Sequence, residues 1–383
     1  MKLVLAFALA ILSCLLSACD LQPLSAESRI FLDLSLDFLG EYQLPKTQFQ
    51  DTSVGGLSAL AYDKKSDRLY ALSDDRQQPR FYTLKLSLDR QPDQISLKNV
   101  KVVGVTFLKD SQGQLPPPNR IDPEGIALTP QKTVWIASEG VFKNQIPPSI
   151  CEFDLLTGKQ KQCLPIPERY LPAIATQENP QPAPRGIQDN LGFESLTLNP
   201  AGLVPASGEP IRLFTATESA LIQDLDNPNS NQGAKTRFLH YLLSDGAPLV
   251  IAEHAYILEP PPEKSIVYGL TELLAIDSGG HFLSLERSFS LLGFHTQIFQ
   301  LAIGGATDTS LVASLKGEEN SFQPIAKKLV LDFKELGITL DNLEGMTFGP
   351  RLPDGSQSLI VASDDNFEKE QVTQFLLFRI KSK

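Results

Sequence analysis

The chain has 383 residues, 42% of them hydrophobic and 21% charged, with 28 prolines and 25 glycines; this globular, turn-rich composition excludes a disordered chain. A net charge of -11 with no Lys/Arg cluster repels polyanions, which excludes nucleic acid and leaves cations, or substrates presented with cations, as natural partners. The length fits either two ordinary domains or one large repeat architecture.

At the N-terminus, residues 1–18 read as a secretory signal: Lys2 precedes the apolar stretch "LVLAFALAILSCLL", which is too short to span a bilayer comfortably. The tetrad Leu16-Ser17-Ala18-Cys19 resembles a bacterial lipobox. That resemblance implies lipidation at Cys19 and attachment to a membrane through the lipid anchor only; a plain cleaved signal and an uncleaved anchor are the alternatives. Asp20 resembles the residue that retains some lipoproteins at the inner membrane. Residues 19–29 then form a short tether, and residues 30–383 form one domain exported to the cell envelope, on the periplasmic side.

Along that domain five segments repeat one form: an acidic or polar residue opens a short apolar strand, a turn follows, and a second strand ends in an acid. They are "LSALAYDKKSDRLYALSDD" from Leu57, "PEGIALTPQKTVWIASEG" from Pro123, "FESLTLNP…IRLFTATES" from Phe193, "TELLAIDSGGHFLSLERS" from Thr271 and "LEGMTFGP…SLIVASDD" from Leu343. The opening residues Ser58, Glu124, Glu194, Glu272 and Glu344 are 66, 70, 78 and 72 residues apart. Two more β-rich runs follow each of the first four hairpins, such as "RFYTLKLSL" and "KNVKVVGVTFL" in the first unit, bounded by Pro, Gly, Asn and Asp.

Four strands per unit without a long amphipathic helix predict an all-β fold, a β-propeller of five or six blades. The last unit supplies only "VTQFLLFRIK" after its hairpin, while "SRIFLDLSLDFL" near the N-terminus is a strand without a blade. Pairing these two would close the ring and remove two open edges. A sixth blade would have to come from Leu301 to Asp332, where "TSLVASL" is unassigned. Cys151 and Cys163 flank "EFDLLTGKQKQ"; a hairpin turning at Leu156-Thr157-Gly158 sets them opposite each other and predicts a cross-strand disulfide in an oxidising compartment. Two separate buried thiols are the alternative.

The set "GGLSALAYD", "RLYALSDD", "DPEGIAL", "GFESLTL", "LLAIDSGGHFLSLERSF" and "NLEGMTFGP" resembles the phytase-like domain of proteins described as having esterase-like activity of the phytase family. The resemblance runs from about Ile30 to about Ile380. It implies hydrolysis of phosphate esters or other esters, with a small-molecule ester as substrate, and carries no residue-level mechanism with it.

The residues themselves supply a candidate site. In each hairpin the opening and closing positions fall at one end, pairing Glu124 with Glu139, Glu194 with Glu218, Glu272 with Glu286, Glu344 with Asp364 and Ser58 with Asp74. As inner strands of radial blades, these hairpins would bring up to nine carboxylates to one mouth of the central channel. Such crowding is costly without cations, and a flexible ring of hard oxygen ligands suits Ca²⁺ best, with Mg²⁺ the poorer fit. Asp74, Glu124, Glu139, Glu218, Glu272, Glu286 and Asp364 are read as metal ligands, and Glu194 and Glu344 as catalytic carboxylates. Arg76, Arg120, Arg185 and Arg287 lie in the same neighbourhoods and are read as donors to a bound phosphate ester; the simpler reading is that each neutralises a neighbouring acid.

Other chemistry is missing from the sequence. There is no G-x-S-x-G elbow, no P-loop or dinucleotide fingerprint, and His240, His254, His281 and His295 have no zinc-ligand spacing. Ser58 and Ser195 have no His partner in sequence. Two function classes follow: a metal-assisted hydrolase of esters, or a non-catalytic propeller that binds a ligand or another envelope protein on its loop face.

Overall fold

The computed structural model describes residues 30–382 except 92–93, 175–176, 178–179, 200–209, 227–232, 245 and 318–320. The secretory signal, the lipobox cysteine Cys19 and the tether all lie outside the described residues.

Strand β1 (Leu34–Leu44) and the short hairpin of β2 (Thr47–Phe49) and β3 (Thr52–Val54) precede the first blade. Blade 1 is β4 (Leu57–Asp63), β5 (Arg68–Ser73), β6 (Arg80–Gln91) and β7 (Gln94–Phe107). Blade 2 is β8 (Pro123–Leu128), β9 (Thr133–Ser138), β10 (Ser149–Asp154) and β11 (Gln160–Cys163). Blade 3 is β12 (Phe193–Leu198), β13 (Ile211–Thr217), β14 (Lys235–Leu243) and β15 (Leu249–Ile257). Blade 4 is β16 (Ser265–Ala275), β17 (His281–Ser290), β18 (Gly293–Ala302) and β19 (Ala326–Asp332), and blade 5 contributes β20 (Asn342–Arg351), β21 (Gln357–Asp364) and β22 (Thr373–Ser382).

Each blade is a four-stranded antiparallel sheet, and β1 completes blade 5 by pairing along β22, from Leu34 opposite Ser382 to Leu44 opposite Thr373. The ring thus closes between the chain's two ends, as predicted. The protein is a five-bladed β-propeller. Of the two predicted blade numbers the structure takes five: "TSLVASL" forms no strand, because the connection from Ile303 to Ile325 instead lies against blade 3. There Thr309 N donates to Glu253 O at 2.7 Å and Ile325 N to Ala255 O at 2.9 Å.

Burial explains the strand sequences. Middle strands such as β9 (TVWIAS) are buried on both faces between adjacent blades, so they read as continuous apolar or small residues, whereas the outer strand β15 is exposed at alternate positions in its first half. Five apolar clusters fill the five gaps between neighbouring blades; one joins Leu57, Tyr82 and Leu84 to Ile360 and Phe375 across the ring closure. The inner strands β4, β8, β12, β16 and β20 touch in sequence around the axis.

Cys151 and Cys163 face one another in register between β10 and β11 and form the predicted disulfide. The turn between them needs glycine: Gly158 has φ +68°, and a Cβ there would lie 1.9 Å from the Phe107 carbonyl oxygen. Replacing both cysteines with serine is expected to cost about 2–3 kcal/mol, the loop-closure entropy returned to the unfolded chain. Urea denaturation measures it, and a variant as stable as the oxidised wild type would contradict the assignment of a structural role.

Candidate functional site

All five inner hairpins share one irregularity. Each inner strand carries a β-bulge, between Leu57 and Ala59, Pro123 and Gly125, Phe193 and Ser195, Leu270 and Glu272, and Leu343 and Gly345. A bulge sets two residues against one and re-aims the extra side chain. The bulged residues are Ser58, Glu124, Glu194, Thr271 and Glu344. Opposite the residue just before the bulge stand Ser73, Ser138, Thr217, Glu286 and Ser363, and the residues that follow them are Asp74, Glu139, Glu218, Arg287 and Asp364.

This register corrects the sequence reading in blade 4. Thr271, not Glu272, takes the bulged position, and Arg287, not Glu286, takes the closing one. Glu272 falls one place further on, where two other blades have Gly125 and Gly345, and its carboxylate turns to the backbone, accepting from Leu273 N at 2.9 Å and Leu196 N at 3.4 Å. Glu286 falls where the other blades have Ser73, Ser138, Thr217 and Ser363. Its side chain points away from the others, to Tyr256 Oη at 2.5 Å, Glu259 N at 2.8 Å and Lys327 Nζ at 2.7 Å. A slip of one residue moves a strand side chain to the other face, so neither Glu272 nor Glu286 joins the carboxylate group.

Seven carboxylates that were predicted do converge: Asp74, Glu124, Glu139, Glu194, Glu218, Glu344 and Asp364. Burial raises every one of them, and for Asp74, Glu124, Glu139, Glu194 and Asp364 the neighbouring carboxylates add to it. Asp74 is pushed up to about 8 by burial first, then by Glu344 and Asp122. Burial pushes Glu218 up to about 7 against the opposing pull of Arg287. The Oδ1 atom of Asp74 is buried without a hydrogen-bond partner among the described residues.

Two further residues belong to the group and escaped the sequence reading. Asp122 is 2% exposed and accepts from Arg76 Nε at 2.5 Å. Asn342 donates from Nδ2 to Glu344 Oε1 at 2.8 Å and accepts from Arg287. Two places before the bulged residue stand Gly56, Asp122, Gly192, Gly269 and Asn342 in the five blades. A Cβ at Gly56 would lie 2.1 Å from Asp74 Oδ1 and one at Gly269 2.3 Å from Glu218 Cγ. Glycine there gives room to the acids; the two blades that keep a side chain add it to the site. That alternation was the available signal.

Of the four arginines, Arg76 and Arg287 reach the group. Arg76 also donates to Asn190 Oδ1 at 2.7 Å. Arg287 bridges Glu218 at 2.8 Å and Glu344 at 3.0 Å. Both are thereby engaged with acids, in line with the simpler reading of them. Arg120 is exposed, and Arg185 pairs with exposed Glu168 at 2.5 Å; among the described residues neither pairs with a member of the group. Arg185 and Glu168 instead line a cavity of about 720 Å³ with Pro167, Arg169 and Ile174, which holds none of the clustered carboxylates.

The carboxylates offer only oxygen, from several strands, in a withdrawn site, and this donor set fits a hard divalent cation. Asp122, Glu124 and Glu139 bring ligand oxygens within 4.8 Å of one another, and so do Glu139, Glu194 and Glu218.

The phytase-like family, described as "Esterase-like activity of phytase", matches residues 52–367. No curated protein matches the sequence. Similar solved structures include the endo-arabinase of Bacteroides thetaiotaomicron, with 11% identity, 86% of this chain and 95% of that one covered and a TM-score of 0.38. The catalytic domain of the Coprinopsis cinerea GH62 alpha-L-arabinofuranosidase has 10% identity, covers 91% and 97%, and has a TM-score of 0.41. The Pan2 WD40 domain of Neurospora crassa has 9% identity, covers 92% and 98%, and has a TM-score of 0.32.

Proposed function

The chain belongs to the phytase-like family, and from that premise we propose that it hydrolyses esters, phosphate esters included, with a divalent cation held by the carboxylates at one mouth of the propeller. The observation that carries this reading is the convergence of buried carboxylates from four of the five blades on one place, with Arg287 from the remaining blade among them.

Asp122, Glu124, Glu139, Glu194 and Glu218 would hold the cation, and Ca²⁺ suits their oxygen-only set. Such a cation supplies Lewis-acid polarisation of the ester or phosphoryl oxygen. Glu344 serves as general base. Its Oε1 takes both Asn342 and Arg287, so those donors orient the group and leave Oε2 to accept a proton from an attacking water. Burial raises Glu344, tempered by Arg287 and Asn342, in the direction a base working near neutral pH requires. Of the two carboxylates read as catalytic, Glu194 is better used as a ligand, since it stands among the clustered acids with no donor to it among the described residues.

A p-nitrophenyl ester, p-nitrophenyl phosphate and phytate, each assayed with Ca²⁺ and with EDTA, test the reading. Calcium-dependent cleavage supports it; calcium-dependent stability with no ester cleaved points to the non-catalytic ligand-binding propeller.

The pH dependence of stability has a definite sign. Without a cation, the folded state binds protons at Asp74 up to about pH 8 and at Glu218 up to about pH 7, while the unfolded chain releases them in the ordinary carboxyl range. The folded state therefore binds more protons across that window, and stability falls as pH rises through it. A cation relieves the same repulsion, so the melting-temperature gain from Ca²⁺ over EDTA is expected to grow between pH 5.5 and 8. A gain that is absent, or that shrinks as pH rises, contradicts a cation at these carboxylates.

Export and lipid anchoring at Cys19 form part of the proposal, supported by the signal-like N-terminus and by a disulfide suited to an oxidising compartment. Cys19→Ser is expected to move the protein from the membrane fraction to the soluble one; a variant that stays with the membrane rules the anchor out.

A further inference from the structure

Three acids, Asp122, Glu124 and Glu139, form one group, and Glu139, Glu194 and Glu218 form a second, each with its ligand oxygens within 4.8 Å of one another. A Ca²⁺ shell with oxygens at about 2.3–2.6 Å spans roughly 4.6–5.2 Å across, so each group fits one shell. Glu139 belongs to both. It is also held in place, since it accepts from Gly192 N, and a Cβ at Gly192 would lie 3.1 Å from its Cβ.

An independent observation points to bound cations. Glu194 is 7% exposed, and no donor among the described residues reaches its carboxylate. Glu124, 8% exposed, brings its ligand oxygen within 4.8 Å of those of two other acids, Asp122 and Glu139. Carboxylates withdrawn from water without donors are strongly disfavoured, and cations between them satisfy both at once.

On the far side of Glu218 there is a cation already. Blade 4 places Arg287 where the other four blades place an acid, and its guanidinium lies between Glu218 and Glu344. We propose that this mouth holds two divalent cations side by side, bridged by Glu139, with Arg287 as a built-in cation that confines them to the half of the mouth formed by blades 2 and 3. This deepens the proposed function and rests on its reading of the mouth as a cation site.

Calcium titration of the apo protein by calorimetry, with Tb³⁺ luminescence as a second probe, tests the pairing without any substrate. Wild type should take up two Ca²⁺ per chain. Asp122→Asn and Glu194→Gln should each retain one, and Glu139→Gln should weaken both by about tenfold or more. Should Glu139→Gln fail to fold, as judged by circular dichroism, the two single-site variants still decide the matter. One Ca²⁺ per wild-type chain, or two bound with undiminished affinity in both single-site variants, overturns the paired site and leaves the hydrolase reading standing. Two ions with no ester cleaved sinks the hydrolase reading and leaves the pair; no bound calcium removes both.

Discussion

Glu344→Gln is expected to lower kcat/KM for an activated ester by about 10²–10⁴-fold, the usual contribution of a positioned general base. The substitution tests the proton-accepting role with little else changed. Glutamine keeps a carbonyl oxygen where Asn342 and Arg287 now donate to Oε1, but it has no second oxygen to take a proton. Calcium affinity should move little, because Glu344 belongs to neither of the three-carboxylate groups. The pH profile provides a further readout. In wild type the rate should rise with pH as Glu344, raised by burial, loses its proton, and the variant should lose that rising limb. Full activity in Glu344→Gln would remove Glu344 from the mechanism.

For stability the largest loss is expected away from the mouth, at Arg237. Its side chain is fully buried and makes a two-pronged pair with Asp224, Nε to Oδ2 at 2.6 Å and Nη2 to Oδ1 at 2.9 Å, together with a close contact to Glu253. Tyr170 Oη donates to Glu253 at 2.7 Å and Leu315 N to Asp224 at 2.7 Å. Arg237 also reaches Val312 O at 3.1 Å. This network holds the long connection between β18 and β19 against blade 3, beside a small apolar cluster of Ala255, Leu315 and Phe322.

Arg237→Met would leave two carboxylates buried with less compensation, and removing one partner of a buried ion pair costs about 3–5 kcal/mol. Urea denaturation measures it. Replacing Arg237, Asp224 and Glu253 together with apolar residues should recover much of the loss, since the buried charges then go together. A loss under about 1 kcal/mol in the single variant, the range of an exposed pair, would show that the network does not hold the connection.

Much of this protein is legible before folding. The spacing of acid-led hairpins, the paired runs after each and the unpartnered N-terminal strand already describe blades and a closed ring, because strand pairing between neighbours in sequence depends on local patterns of apolar residues and turns. The disulfide is legible for the same reason: it joins adjacent strands of one hairpin. Glu124, Glu139, Glu194, Glu218, Glu344, Asp74 and Asp364 are found by repetition alone.

What repetition could not supply is the place of the bulge within each repeat. In blade 4 the aligned acids Glu272 and Glu286 sit one residue out of step with the bulge between Leu270 and Glu272. Since successive side chains in a strand face opposite ways, that single step sends one acid to backbone amides and the other to Tyr256 and Lys327, and brings Arg287 into the mouth instead. The pairings of Arg76 with Asp122 and of Arg287 with Glu218 and Glu344 span 46, 69 and 57 residues and arise only when separate blades meet. The sequence by itself determined the repeat, the ring and most of the acids, because these are local and periodic; tertiary structure decided which of those acids face one another and which cation the fold already carries, because contacts between blades leave no period in the chain.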